Sequence, residues 1–134
     1  MKPGSFELTI LVEDDSIDHL GHVNNIAYLQ WCLDAAGKHW ESLAPDQLRK
    51  AYVWVVLRHE IDYKAPAFLG EELLMQTWVS WSRAAQSERR YKLIRKSDGK
   101  VLIEAQTRWC LLQANDHRPV KIPQEILNLF HPNS

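Results

Sequence analysis

The clearest pattern in the chain is a run of apolar residues between about Asn25 and Leu43 that recur at three- and four-residue steps. This spacing is typical of one face of an α-helix. The stripe consists of Ile26, Leu29, Leu33, Ala36, Trp40 and Leu43, and it is widened by Tyr28, Trp31, Cys32 and Ala35. We therefore predict a long helix over 25–43 that is apolar around much of its circumference and largely enclosed by the fold.

Most of the remaining chain alternates apolar and polar residues, which is the pattern of half-buried strands. The predicted strands are 6–12, 51–63, 72–82, 87–96 and 101–112, and a short final helix is predicted over 123–130. In the second strand the core face is predicted to hold Val53, Val55, Leu57 and Ile61. This order favours an α+β fold in which a largely antiparallel sheet wraps around one long central helix. A chain of 134 residues without a repeat or linker is interpreted as a single domain over 1–134.

A sheet that covers one helix leaves its other face and its edge strands open. Pairing with a second copy of the chain closes an edge or a face, so we expect a homodimer or a homotetramer. Six Trp residues are many for this length, and they supply large surfaces for a pocket wall or a subunit interface.

The composition is that of a soluble globular protein, with 46% hydrophobic and 25% charged residues. A formal net charge of -1 argues against broad binding of nucleic acid or of anionic membranes. Cys32 and Cys110 both lie in apolar runs, and we interpret them as buried thiols of a reducing, cytoplasmic compartment. The first residues lack the pattern of a secretion signal, and no apolar run is long enough to cross a bilayer.

The segment with the most candidate catalytic residues is DHLGHVNNIAYLQW, residues 18–31, which leads into the predicted long helix. Asp and Asn are favoured in turns and at helix N-termini, so capping explains Asn24 and is the commoner reason for an Asp such as Asp18. Capping does not explain why Asp, Gly, His, Val, Asn, Asn and Tyr stand at these intervals.

This segment resembles the Asp-x-x-Gly-His-Val-Asn-Asn-x-x-Tyr signature of hot-dog-fold acyl thioesterases, in particular the 4-hydroxybenzoyl-CoA thioesterase-like group and its acyl-carrier-protein thioesterase relatives. Weaker similarities over 60–73, 80–95 and 118–123 extend the resemblance to nearly the whole chain. It implies a hot-dog fold, hydrolysis of an acyl-CoA or acyl-carrier-protein thioester in lipid metabolism without a cofactor, and Asp18 as the catalytic Asp. Leu20 stands where some carrier-protein thioesterases have Asn, which weakens any transfer of an Asp-Asn-His arrangement.

Thioester hydrolysis places negative charge on the former carbonyl oxygen in the transition state. Free N–H groups at a helix N-terminus, together with the helix dipole, stabilise such a charge. We predict the Asn25 amide as the oxyanion donor, which is also the position that the resemblance indicates, and Asp18 as nucleophile or general base. His22 either orients the water or contacts the thioester, or is only hydrogen-bonded near the helix start. Asn24 and Tyr28 are candidate substrate contacts, with capping and core packing as the alternatives.

Asp18, His19 and His22 also form a candidate set of metal ligands. A His-x-x-His pair in a loop is far less specific than His-Glu-x-x-His on a helix, so no metal is predicted. The sequence also contains no Gly-x-Ser-x-Gly elbow, which argues against a serine hydrolase.

Coenzyme A and phosphopantetheine both carry phosphate, which guanidinium groups bind well. Arg83, Arg89 and Arg118 are predicted as a phosphate-binding rim, although any single one of them is more often a solvated surface charge.

Two classes of function remain as interpretations. The first is an acyl-thioester hydrolase that acts on fatty or aromatic acyl groups, attached to coenzyme A or to a carrier protein. The second is a non-catalytic module that binds acyl groups or a carrier protein with the same fold. A dehydratase or hydratase of this fold is disfavoured because residues 18–31 carry the thioesterase signature.

Overall fold

The computed structural model describes residues 4–132, so residues 1–3 and 133–134 of the predicted domain lie outside the described part. Its elements are β1 (Phe6–Leu11), a 3-10 turn (Asp14–Ser16), α1 (Asn25–Leu43), α2 (Asp46–Ala51), β2 (Tyr52–Tyr63), β3 (Glu72–Arg83), β4 (Gln86–Arg95), β5 (Val101–Gln113) and α3 (Gln124–Phe130). The strands that these residues form make one sheet in the order β1-β3-β4-β5-β2, with antiparallel neighbours throughout. The predicted α+β arrangement is confirmed, and α1 has the predicted bounds.

The long helix α1 packs on one face of the sheet. Its buried residues are Tyr28, Cys32, Ala35, Ala36 and His39, and they contact a sheet face that includes Leu73, Met75, Tyr91, Leu93 and Ile103. The prediction that α1 is largely enclosed is wrong, because Ile26 is 79% exposed and Leu43 is exposed as well. Small and polar side chains fill much of the buried face. The large aliphatic residues that dominate the periodicity therefore mark the flank of the helix and not its centre.

The edge strand β2 contains an irregularity that changes which side chains face the helix. Its register with β5 shifts at Leu57, which has no partner between Val56 and Arg58. One extra residue reverses the inward and outward positions. The predicted core face is therefore wrong for Val55 and Leu57, which are exposed. Beyond the shift, His59 is half-buried, and its Nδ1 lies 2.8 Å from the Thr107 hydroxyl.

The shorter helices were not equally visible in the sequence. The final helix α3 was predicted, and it buries Ile126 and Phe130. The helix α2 was not predicted, because only Leu48 of its six residues is buried and no periodicity develops. None of the helices within residues 4–132 combines the length and the apolar character that spanning a bilayer requires.

The two ends of the sheet carry different parts of the molecule. At the first end, which we call the 64–71 end, the loop 64–71 joins β2 to β3 and lies beside the start of α1, where the Val23 N–H donates to the Ala67 carbonyl at 3.0 Å. At the opposite end lie the C-terminus of α1, α2, the turn from β3 to β4, and α3. The candidate residues that precede α1 are thus all at the 64–71 end.

Candidate active site

The chain before α1 forms a closed loop. An isolated antiparallel bridge pairs Ile17 with Val23, and the Asp18 N–H donates to the His22 carbonyl at 2.8 Å. Gly21 turns the chain back with φ +80, a conformation that residues with a Cβ rarely adopt, and its N–H donates to the Asp18 carbonyl at 3.1 Å. The backbone therefore fixes Asp18 at the base of this loop, directly upstream of the helix.

One oxygen of the Asp18 carboxylate is anchored and the other is not. Oδ1 accepts hydrogen bonds from the backbone N–H groups of Leu20 at 2.9 Å and His22 at 3.3 Å. Within residues 4–132, Oδ2 accepts none, and the residue is half-buried. The anchored oxygen explains Asp18 as a turn residue, as the capping interpretation requires. The second oxygen, Oδ2, makes no hydrogen bond that stabilises the turn.

The first amides of α1 are only partly used. Asn24 is the N-cap, since its Oδ1 accepts from the Ala27 N–H at 2.8 Å and its Nδ2 donates to the Ser16 carbonyl at 3.2 Å. The capping interpretation of Asn24 is thereby confirmed, and these two bonds occupy its side chain. The backbone N–H groups of Asn25 and Ile26 find no acceptor in the part of the chain that the structure describes. They remain available to a bound oxygen at the positive end of the helix dipole.

The loop 64–71 is tied to this site by a buried tyrosine. Tyr28 is 3% exposed, and its hydroxyl accepts from the Ala67 N–H at 3.0 Å. Burial raises the pKa of Tyr28, so the hydroxyl stays protonated at neutral pH. The core-packing interpretation of Tyr28 is therefore confirmed, and its contact with a substrate stays a prediction. The half-buried His22 packs edge-on against Phe68 of the same loop, with ring centroids 5.3 Å apart.

A family comparison decides what kind of protein carries this site. Residues 12–130 match the family model described as the Thioesterase-like superfamily. The chain belongs to this superfamily. The resemblance inferred from residues 18–31 is thereby confirmed.

Curated relatives of this superfamily member share part of its sequence. An acyl-[acyl-carrier-protein] hydrolase of Cuphea viscosissima is 27% identical over 82 residues, which are 61% of this chain and 20% of that protein. A palmitoyl-acyl carrier protein thioesterase of Gossypium hirsutum is 26% identical over 88 residues, which are 66% of this chain and 21% of that protein. The chain therefore spans about a fifth of the length of the curated relatives it matches.

Solved structures of similar shape show the fold. A 1,4-dihydroxy-2-naphthoyl-CoA thioesterase from Synechocystis superposes with a TM-score of 0.81 at 21% identity, covering 94% of this chain and 95% of that chain. A 12:0-ACP thioesterase from Umbellularia californica superposes with a TM-score of 0.83 at 17% identity, covering 96% of this chain and 50% of that chain. These likenesses confirm the predicted hot-dog fold.

The 64–71 end of the molecule has exposed apolar side chains that the sequence pattern did not indicate. Leu20, Ile26, Phe68 and Leu69 are all exposed, and they belong to the loop before α1, its first turn and the loop 64–71. Exposed apolar clusters of this kind commonly mark a binding surface. The usable signal was the turn AFLG, which has two large apolar residues where turns are usually polar.

The three predicted phosphate-binding arginines do not surround Asp18 within one chain. Arg83 is exposed at the end of β3, about 36 Å from the 64–71 end, because the strand has twelve residues. Arg118 is also exposed, in the loop after β5 at that opposite end. Arg89 is only 5% exposed and lies beneath α1, bonded to His39. The prediction of Arg89 as a surface phosphate ligand is therefore wrong, because its position in β4 points inward.

The structure gives no support to the alternative metal site. Within residues 4–132, no three His, Cys, Asp or Glu side chains are grouped closely enough to hold a metal ion. His19 is exposed, and Asp18 uses Oδ1 for the turn. Asp18, His19 and His22 therefore do not form a ligand set in this conformation.

Proposed function

We propose that this chain hydrolyses acyl thioesters at the N-terminus of α1, with Asp18 as nucleophile or general base and the Asn25 N–H as oxyanion donor. One observation carries the proposal. A carboxylate with one anchored and one uncommitted oxygen precedes, in one closed loop, the unpaired first amides of a long helix. Membership of the thioesterase-like superfamily supports the thioester as the bond that is broken.

As a general base, Asp18 takes a proton from a water whose oxygen attacks the thioester carbonyl carbon. The carbonyl electrons move onto oxygen, and this oxyanion accepts hydrogen bonds from the N–H groups of Asn25 and Ile26. When the carbonyl re-forms, the C–S bond breaks and its electron pair leaves with sulfur. The proton held by Asp18 then passes to the thiolate, which yields the free acid and the thiol and restores the carboxylate.

As a nucleophile, Asp18 attacks the same carbon directly and forms a mixed anhydride while the thiolate leaves. Water then hydrolyses the anhydride, and its second proton goes to the thiolate. Rapid quenching of a single turnover followed by measurement of the intact protein mass separates the two routes. An added acyl mass that depends on Asp18 supports the anhydride, and its absence throughout turnover supports the general base. In either route we assign to His22, whose ring packs edge-on against Phe68, the role of orienting the attacking group.

The substitution Asp18→Asn tests the proposal. Asn keeps an Oδ1 that accepts from the N–H groups of Leu20 and His22, so the loop and the free energy of unfolding should be preserved. We expect kcat to fall at least about 100-fold, since a general base or nucleophile is removed. Asp14→Asn is the matched control, because Asp14 is an exposed acid in the preceding 3-10 turn.

Equal turnover of the Asp18→Asn variant and the unchanged chain would remove the catalytic assignment. A chain that binds acyl-CoA tightly and releases no thiol from any thioester would instead support the non-catalytic binding module. Hydrolysis that is unaffected by chelators is expected, because no metal takes part in either route.

We propose acyl-CoA or acyl-carrier-protein thioesters as substrates, in lipid metabolism of the cytoplasm. The support for these substrates is the naming of similar proteins, one a naphthoyl-CoA thioesterase and others carrier-protein thioesterases, whereas cytoplasmic lipid metabolism stays a prediction. A screen of thiol release over fatty and aromatic acyl-CoAs, repeated with one acyl-carrier protein, measures which group and which carrier are preferred.

We also propose that two copies pair through β2, either as a homodimer or within a homotetramer. The outer edge of β2 has no strand partner within residues 4–132, and Val55, Val56 and Leu57 are exposed along it. Twofold antiparallel pairing brings the opposite end of one copy beside the 64–71 end of the other. Arg118 of the partner subunit then approaches the site, where its guanidinium can bind a phosphate.

Sedimentation velocity of Leu57→Lys tests this interface. A charged side chain at the centre of the paired edge should break this pairing, so that the chain sediments as a smaller species than the unchanged chain. Leu11→Lys is the matched control, since Leu11 is an exposed residue on β1, the other edge strand. Dissociation by Leu11→Lys alone would place the interface at β1 and contradict the proposal.

A further inference from the structure

A second site lies at the opposite end of the sheet from Asp18. A cavity of about 330 Å³, partly open to solvent, lies between the second half of α1, α3 and the sheet. Its apolar walls include Leu33, Trp40, Trp54, Val79, Trp109 and Phe130. Leu33 and Trp40 follow Asn25 by eight and fifteen residues, so the cavity begins about 12 Å and ends about 22 Å along the helix axis from the first amides. This volume is in the range of small-molecule sites.

One charged side chain lines the interior of this cavity. Arg89 is 5% exposed and shares the inward face of β4 with Tyr91 and Leu93. It makes no ion pair with any Asp or Glu of residues 4–132. Both of its hydrogen bonds start from Nη1, which donates to His39 Nδ1 at 2.9 Å and to Thr77 Oγ1 at 3.0 Å. Its other donors have no acceptor in the described part of the chain.

The partners of Arg89 are neutral. A guanidinium has only donors, so His39 Nδ1 must accept and the imidazole carries its proton on Nε2. Thr77 donates its own proton to the Arg90 carbonyl at 2.9 Å and therefore also acts as an acceptor. Burial lowers the pKa of Arg89 to about 10, which still leaves the guanidinium positively charged at neutral pH. A buried positive charge thus faces the cavity without a counter-charge.

Two aromatic residues surround the Arg89 side chain. The indole of Trp109 lines the same cavity, and its buried Nε1 lies next to the Tyr91 hydroxyl. Arg89 also lies over the Phe130 ring at 5.4 Å, which fastens α3 to the sheet. An apolar side chain would provide that packing without the cost of burying a charge. A positive charge without a counter-charge inside apolar walls is the complement of a ligand with an apolar body and an anionic end.

We propose that this cavity binds an apolar or aromatic group that ends in a carboxylate, with the carboxylate on Arg89. Two sources share this chemistry. One is the far end of an acyl group that is still attached as a thioester, and this source rests on the proposed hydrolysis. The other is a free carboxylic acid, such as a product, which binds whether or not the chain is an enzyme. Arg49, which also lines the cavity, is paired with Asp46, so Arg89 is the cavity's unneutralised positive charge.

The binding arm of the test compares octanoate with octanol by isothermal titration calorimetry, in the unchanged chain and in Arg89→Met. Octanoate should bind more tightly than octanol, and Arg89→Met should weaken octanoate by about 10- to 100-fold, the value of a charge-assisted hydrogen bond. Octanol binding should be unchanged, which also reports that the variant is folded. Arg90→Met is the matched control, because Arg90 is exposed on the outer face of the same strand.

The turnover arm compares suberoyl-, sebacoyl- and hexadecanedioyl-CoA monothioesters with octanoyl-, decanoyl- and palmitoyl-CoA. A preference for the carboxylated member of a pair that disappears in Arg89→Met identifies the acyl end as the source. No such preference, with Arg89-dependent octanoate binding, identifies the free acid.

Binding of octanoate no tighter than octanol in the unchanged chain, together with equal rates within every pair, would overturn the proposal. That result needs no variant, so it holds even if Arg89→Met does not fold. Absence of all hydrolysis would refute only the proposed function, since octanoate binding is measured independently.

Discussion

The buried His39 leads us to predict that the free energy of unfolding falls in mild acid. The residue is 2% exposed, its Nδ1 accepts a hydrogen bond from Arg89, and its ring stacks on Phe6 with centroids 5.2 Å apart. Burial, and then the positive charge of Arg89, lower the pKa of His39 from 6.5 to about 4. The folded chain therefore holds this imidazole neutral at pH values where an unfolded chain protonates it.

The sign and size of the effect follow from the two pKa values. Between pH 6.5 and 4 the unfolded chain binds more protons at His39 than the folded chain, so acid favours unfolding. The contribution of His39 to the free energy of unfolding is fully present above pH 6.5 and is lost as the pH falls towards 4. At pH 5 the loss relative to pH 8 is about 2 kcal/mol, and its limit below both pKa values is about 3 kcal/mol.

Urea unfolding at pH 8 and pH 5 measures this loss in the unchanged chain and in His39→Gln. Gln does not titrate, and its Oε1 can still accept from Arg89. The variant should therefore lose about 2 kcal/mol less than the unchanged chain between the two pH values. His19→Gln is the control, because His19 is exposed. An equal loss in His39→Gln and the unchanged chain would refute the reasoning, whatever the stability of the variant at pH 8.

Two further substitutions test the supports of the proposed active site. Asn24→Ala removes the acceptor of the Ala27 N–H and should lower the free energy of unfolding by about 1 kcal/mol; it should also reduce kcat, and unchanged urea unfolding would contradict the capping role. Tyr28→Phe leaves the buried Ala67 N–H without its acceptor and should cost about 1–3 kcal/mol. Faster hydrogen exchange of the Ala67 amide would confirm that the loop 64–71 has loosened, and unchanged exchange would contradict the bracing role.

The elements with a strong period were predictable from the sequence. The helix α1 and the strands were located within a few residues, because each buries one face and repeats its apolar residues at the matching interval. The segment 18–31 also indicated the helix cap at Asn24, whereas the loop closed by the Ile17–Val23 bridge was not predicted. The direction in which side chains point was harder to predict from the sequence. The shift at Leu57 in β2 reverses its faces, and nothing in an apolar run such as VWVVL indicates where such a shift occurs.

Arg89 shows where a pattern and a residue preference disagree. Alternation in SERRYKLIR places Arg89 on the same face as Tyr91 and Leu93, which are inward, whereas the preference of arginine for solvent places it outside. The alternation prevails in the structure, because the strand cannot turn one side chain outward without losing its register with β3 and β5. The buried guanidinium is stabilised by hydrogen bonds to His39 and Thr77. Both residues are far from Arg89 in the sequence, so the sequence could not show these contacts. A charged residue at an inward position of a regular strand is therefore itself a signal, since a fold keeps such a local conflict mainly where a ligand or a reaction uses it.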